Sequence, residues 1–192
     1  LLVLWSAVGY LMPVFVASAF AIITFLLVLR TGDMTKVVLA FIAILIFSDS
    51  RSPMFAFAAT AKIGIVFFLF GYVILNWNEF KKNRNLVFIN FLPFLIYAIA
   101  SNIWAEDPFN AFQKSLSFSL IFFMVPIVFM QGMKENRLMQ VELLYFFTLI
   151  FTVGLIIHLV NPSFSSLVGR YRGLMGNPNG LGILLTVVFG LY

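Results

Sequence analysis

Ile63-Gly-Ile-Val-Phe-Phe-Leu-Phe-Gly-Tyr-Val-Ile-Leu75 is the stretch whose reading decides the fold. It carries no charge and is apolar all round, so it cannot be a barrel strand, which would alternate apolar and polar residues over about 10 positions. In hydrocarbon every backbone polar group must be satisfied internally, and a helix does this within one segment. Outward from it, charges and turn residues cut the chain into similar apolar runs at about 1–29, 34–47, 54–77, 86–103, 112–130, 141–160 and 177–192. The 192 residues are 62% hydrophobic and 10% charged, with a mean hydropathy of +1.07. That leaves too little polar surface to cover a soluble domain. The expectation is an all-α, polytopic transmembrane helix bundle, a single domain over residues 1–192, with six to eight helices.

Two runs have awkward lengths for a hydrocarbon core of roughly 30 Å. The first would be about 43 Å long as one helix, and Gly9 and Pro13 lie inside it, so it reads either as one tilted helix or as two short, broken ones. The second is short, and spans only by borrowing Gly32 to Met34 or by thinning the bilayer. The chain opens on Leu1-Leu-Val and stops at Tyr192 in mid-run; we expect it to be the N-terminal part of something longer, cut at both ends. No cleavable signal peptide is evident. The sequence contains no cysteine and one histidine, which removes disulfides and thiolate sites and argues against a self-contained zinc site.

The net charge of +5 sits in short loops between apolar runs, where it sets topology rather than forming a nucleic-acid footprint. One set of alternate loops holds Arg30, Lys36, Lys81, Lys82, Arg84, Lys134 and Arg137; the other holds Arg51, Lys114, Arg170 and Arg172. The richer set is expected on the cytoplasmic side, which turns the loop of Arg170 outward. There is no internal repeat, low-complexity tract or linker.

Charge and turn chemistry meet in Arg170-Tyr-Arg172-Gly173-Leu-Met-Gly176-Asn177-Pro178-Asn179-Gly180-Leu181-Gly182. Two arginines stand here with no acid in the loop to pair them, and a guanidinium matches phosphate oxygens bidentately. Gly173, Gly176 and Gly180 admit close backbone approach, and Asn179 is a plausible cap for a helix whose free N–H groups would also face an anion. The plainer reading is a turn whose arginines touch lipid headgroups. The pattern R-x-x-G-x-x-x-N-P-N-x-L-G resembles the signature found midway through the O-antigen ligase and polymerase family of bacterial inner-membrane proteins. A second, weaker likeness runs through Ser101, Trp104, Glu106-Asp107-Pro108 and Lys114.

The resemblance implies a glycosyltransferase that moves a glycan from undecaprenyl pyrophosphate to an acceptor, either a growing glycan or lipid A core, at the outer face of a multi-pass protein of the inner membrane, and that does so with no metal and no cofactor. On that footing Arg170 stabilises the leaving pyrophosphate, and Arg172, Asn177, Asn179, Lys114 and Lys62 bind substrate. The family's further outer loop follows helices beyond this motif, so the chain is expected to hold half an active site and to be inactive alone. Lys62 lies in an apolar run, where an ionisable group points to function, although lysine also snorkels to the headgroups. His158 is either a general base or an interfacial hydrogen-bonding residue. Trp104 and Asp107 are site candidates by the weaker likeness, and the plainer and preferred reading is an interface anchor and a helix start. Asp49 and Arg51 read as an exposed pair.

Phosphate-loop, dinucleotide-binding, H-E-x-x-H and G-x-S-x-G motifs are all absent from the sequence, which argues against nucleotide-driven transport and soluble-type hydrolysis. The alternative from another class is a transporter or channel for a small anion such as bicarbonate, with Lys62 on its path. A third is a helper subunit without a site.

Overall fold

The computed structural model describes residues 1–50, 52–81, 87–176 and 181–182, with the backbone alone for residues 87–91. Arg51, Lys82, Arg84, the Asn177–Asn179 turn and nearly all of the last apolar run lie outside the described residues.

The first run is two helices, α1 (Leu2–Leu11) and α2 (Val14–Arg30). Met12 takes an extended conformation ahead of Pro13, which starts α2; the ring of a proline disfavours helical geometry at the residue before it. The two helices fold back on one another, the Trp5 indole donating to Thr24 Oγ1 at 2.7 Å. α3 (Met34–Asp49) begins on Asp33, whose carboxylate accepts the Lys36 N–H at 3.1 Å. It gains length at its other end, through Ser48 and Asp49, while Gly32 stays in the connection with φ +73°.

After a 3-10 turn at Pro53–Phe55 come α4 (Ala56–Leu75), the short α5 (Trp77–Phe80) and α6 (Val87–Ala100). A further 3-10 turn, Ser101–Trp104, leads to α7 (Pro108–Glu135), α8 (Met139–Val160) and the single turn α9 (Pro162–Ser165). A small antiparallel hairpin closes the described chain, β1 (Ser166–Leu167) pairing with β2 (Arg170–Tyr171). Its two-residue turn has φ +51° at Val168 and +73° at Gly169, the signs required by a tight hairpin whose twist matches its strands.

The all-α bundle is thus as expected. Among the described residues, Pro53–Leu75, Pro108–Glu135 and Met139–Val160 are long and apolar enough to cross a membrane, and the chain is a membrane protein. Large residues such as Phe25, Phe57, Ile44, Ile65, Leu69 and Met124 fill its centre. At the α2–α4 contact the interface is built from small residues: Ala17 and Ala21 on α2, Ala58 and Ala61 on α4, none more than 1% exposed. Small side chains let backbones approach closely, which is how helices gain dispersion energy where lipid removes the hydrophobic difference. The Ser18 hydroxyl donates across this contact to Phe57 O at 3.0 Å.

Alternate connections gather at opposite ends. The Asn136 amide between α7 and α8 reaches Thr35 Oγ1 at the start of α3, 3.3 Å away. At the other end the chain beyond α8 returns to the end of α3, where Gly176 N–H donates to Asp49 Oδ2 at 2.8 Å.

Candidate functional site at the α3–α4–α7 cleft

Helix α7 starts on Asp107, which accepts the Asn110 N–H at 3.0 Å, with Pro108 in its first turn. From there Asn110, Gln113, Lys114 and Ser117 follow at helical spacing, and all four line one cleft of about 650 Å³ between α3, α4 and α7. Positions i, i+3, i+4 and i+7 share a helix face, so a polar stripe is presented inside an otherwise apolar span. Lys62 enters the cleft from α4 and Asp49 from the end of α3. Two cations that stand apart by 52 positions in sequence are thus brought to one cavity. Among the described residues neither lysine is paired with a carboxylate. A volume of this size is that of a small-molecule site, and unpaired ammonium groups at the mouth of apolar helices attract an anion.

Asp49 is exposed, as expected, and its expected partner Arg51 lies outside the described residues. Its carboxylate takes the backbone N–H of Gly176, 127 residues further along. Gly176 packs so closely on Asp49 that an added Cβ would collide with the Asp49 carbonyl oxygen. The Gly176 carbonyl in turn accepts from Arg172 Nη1 at 3.3 Å, and Arg172 Nη2 donates to Phe164 O at 2.8 Å. Arg172 is therefore a stitch in its own loop. Its Nε is buried with no partner among the described residues.

Arg170 occupies the hairpin, opposite Leu167, and is exposed. His158 stands in the last turn of α8, its Nδ1 2.7 Å from the Ser165 hydroxyl and its ring edge-on to Tyr171 at 5.1 Å. Ser165 is fully buried, so this pair fastens the start of the loop to α8. Tyr171 lies against Gly154 and Gly173, and burial pushes its phenol above the ordinary value. Trp104 is 79% exposed at the bundle end, and Asp107 serves as the cap described above.

Of the residues singled out in the sequence, Lys62 and Lys114 come together; Arg170 and the Arg172–Gly176 segment do not line their cleft, the segment touching one of its lining residues, Asp49, through Gly176. His158 belongs to a separate cluster. Asn177 and Asn179 lie outside the described residues, with Gly176 marking where that turn begins. Sequence reading missed Asn110, Gln113, Ser117 and the role of Asp49. The first three carried a signal, polar residues at helical spacing in an apolar run; Asp49 carried none, because its partner is a backbone group. Among the described residues no three metal-ligating side chains cluster. No protein-family model, curated protein or solved structure matches this chain.

Proposed function

We propose that the chain belongs to a lipid-linked glycan transferase of the O-antigen ligase or polymerase type, and that the Lys62–Lys114 cleft takes the pyrophosphate of an undecaprenyl-pyrophosphate-linked glycan. The observation that carries this reading is the pairing of two lysines from different helices, without acids, in one cleft whose rim is tied to the residue preceding Asn177-Pro178-Asn179. The resemblance of the Arg170–Gly182 segment names the substrate; the cleft supplies the matching charge.

In the reaction an acceptor hydroxyl attacks the anomeric carbon, a new glycosidic C–O bond forms, and the bond to the pyrophosphate oxygen breaks. The hydroxyl proton passes to solvent or a base, and the electron pair leaves with the pyrophosphate. Charge grows on that leaving group, so preorganised cations lower the barrier, a single well-placed donor contributing ~3 kcal/mol. Lys62 and Lys114 neutralise the bound pyrophosphate, and Arg170 completes the charge on the loop side. Arg172, committed to two carbonyls, shapes the loop. On this reading the Arg170 loop faces outward across a bacterial inner membrane, in agreement with the poorer set of basic loops.

The test is binding of a polyprenyl pyrophosphate to the protein in lipid nanodiscs. Replacing both lysines, Lys62→Ala with Lys114→Ala, should weaken binding at least tenfold while the parent binds in the micromolar range or tighter. Equal affinity in parent and variant would end this reading, and lysine-dependent bicarbonate flux in vesicles without pyrophosphate-lipid binding would replace it with the anion transporter.

A further inference from the structure

We propose that Asp49 is a positioning residue that docks the Arg172–Gly176 loop at the rim of the Lys62–Lys114 cleft, and that the docked loop is needed for anion binding there. Asp49 is the last residue of α3, and a carboxylate there faces the negative end of the helix dipole, an unfavourable location for an acid. It also lines a cleft with two lysines, yet makes no ion pair with either at 4 Å or less. What it holds is the Gly176 N–H at 2.8 Å, a charge-assisted bond to a backbone group far away in sequence. On the other side of the same residue, Arg172 holds the Gly176 carbonyl. An acid from the helix and a base from the loop thus grip one glycine by its two backbone groups.

The absence of a side chain is part of the grip, since a Cβ at Gly176 would meet the Asp49 backbone. The consequence for ligand binding rests on the cleft being the pyrophosphate site; the docking of the loop does not.

Local charge and loop positioning give opposite signs, which makes the inference testable. Removing a negative group from a cationic cleft should by itself tighten anion binding. If Asp49 acts by holding the loop, Asp49→Ala instead weakens binding of farnesyl pyrophosphate in nanodiscs at least tenfold. Asp49→Asn, whose amide oxygen can accept the same N–H, should remain within about threefold of the parent. Tighter binding in Asp49→Ala, or equal losses in the two variants, would overturn the proposal.

Docking itself is read with spin labels on Val168→Cys in the hairpin and Phe109→Cys on α7, both exposed positions in a chain without native cysteine. The inter-label distance should be narrow in the parent and in Asp49→Asn, and broadened or displaced in Asp49→Ala. An unchanged distribution in Asp49→Ala would refute the clamp whatever the ligand. A broadened one, in a protein that binds no pyrophosphate lipid, would keep the clamp and remove only the substrate.

Discussion

The two ends of the bundle commit their acids differently. Where α2 meets α3 and α7 meets α8, acid meets base and amide meets hydroxyl: Lys36 Nζ lies 2.9 Å from Asp33 Oδ2, and Asn136 donates to Thr35 and to Glu142 at 3.3 and 2.9 Å. Where α3 ends and α7 begins, the one acid in the cleft is committed to a backbone N–H and the two lysines have no carboxylate among the described residues. Polar groups that satisfy one another serve folding, whereas lysines without an acid partner are open to an anionic ligand. On the proposed function, the difference separates a structural end from a binding end.

The largest effect should come from breaking the binding end at its tightest contact. Gly176→Ala forces a methyl group into the Asp49 carbonyl, so either the loop lifts or α3 shifts, and overpacking of this kind costs about 1–3 kcal/mol. Thermal unfolding in detergent should show a midpoint several degrees below that of the parent. A matching substitution at Gly71, with nothing near its Cβ, should leave the midpoint unchanged or raise it, since alanine is the better helix former. Equal behaviour of the two variants would mean that the contact at Gly176 carries no strain.

The fold was legible because the solvent leaves few choices: an apolar run in lipid must be a helix. Whether Pro13 breaks its run was left open by the sequence, and with reason, since Pro93 and Pro126 lie inside continuous helices. The length of α3 was less legible, since Ser48 and Asp49 look like loop residues until their backbone is seen to continue the helix. Lys62 and Lys114 stood out as cations in apolar runs, but their meeting depends on how α4 packs on α7, which periodicity does not encode. Arg172 looked free because no acid lies near it in sequence. Its partners are carbonyls of Phe164 and Gly176, and carbonyls leave no mark on composition.

A medium-sized effect should sharpen the contrast by exchanging stability for affinity. Lys62→Met keeps the apolar stem and removes a half-buried ammonium that has no partner among the described residues, so unfolding should be unchanged within about 0.5 kcal/mol. Anion affinity should nevertheless fall about tenfold. Lys36→Met at the other end should do the reverse, leaving affinity untouched and lowering the unfolding midpoint slightly. If Lys62→Met destabilises the protein without changing affinity, the lysine is structural and the two ends are alike.

The smallest effect belongs to Asp33. Its carboxyl is held below the ordinary value of 3.8, chiefly by the hydrogen bond from Lys36 and then by the N–H of Lys36 and its charge, with burial opposing. A depressed folded-state pKa means that the unfolded chain binds the proton more readily. The stabilisation is therefore complete above the unfolded value, near pH 4, and is lost as pH falls through the folded one. With 37% of the Asp33 side chain exposed, solvent screens most of the interaction, and the shift in unfolding midpoint should be no more than about 1 °C. Asp33→Asn should remove that part of the acid dependence while keeping the helix cap, because asparagine also accepts from the N–H of the third helical residue. Retention of the whole acid dependence in Asp33→Asn would show that the ion pair at the satisfied end contributes nothing, and that the helix cap alone explains why Asp33 is there.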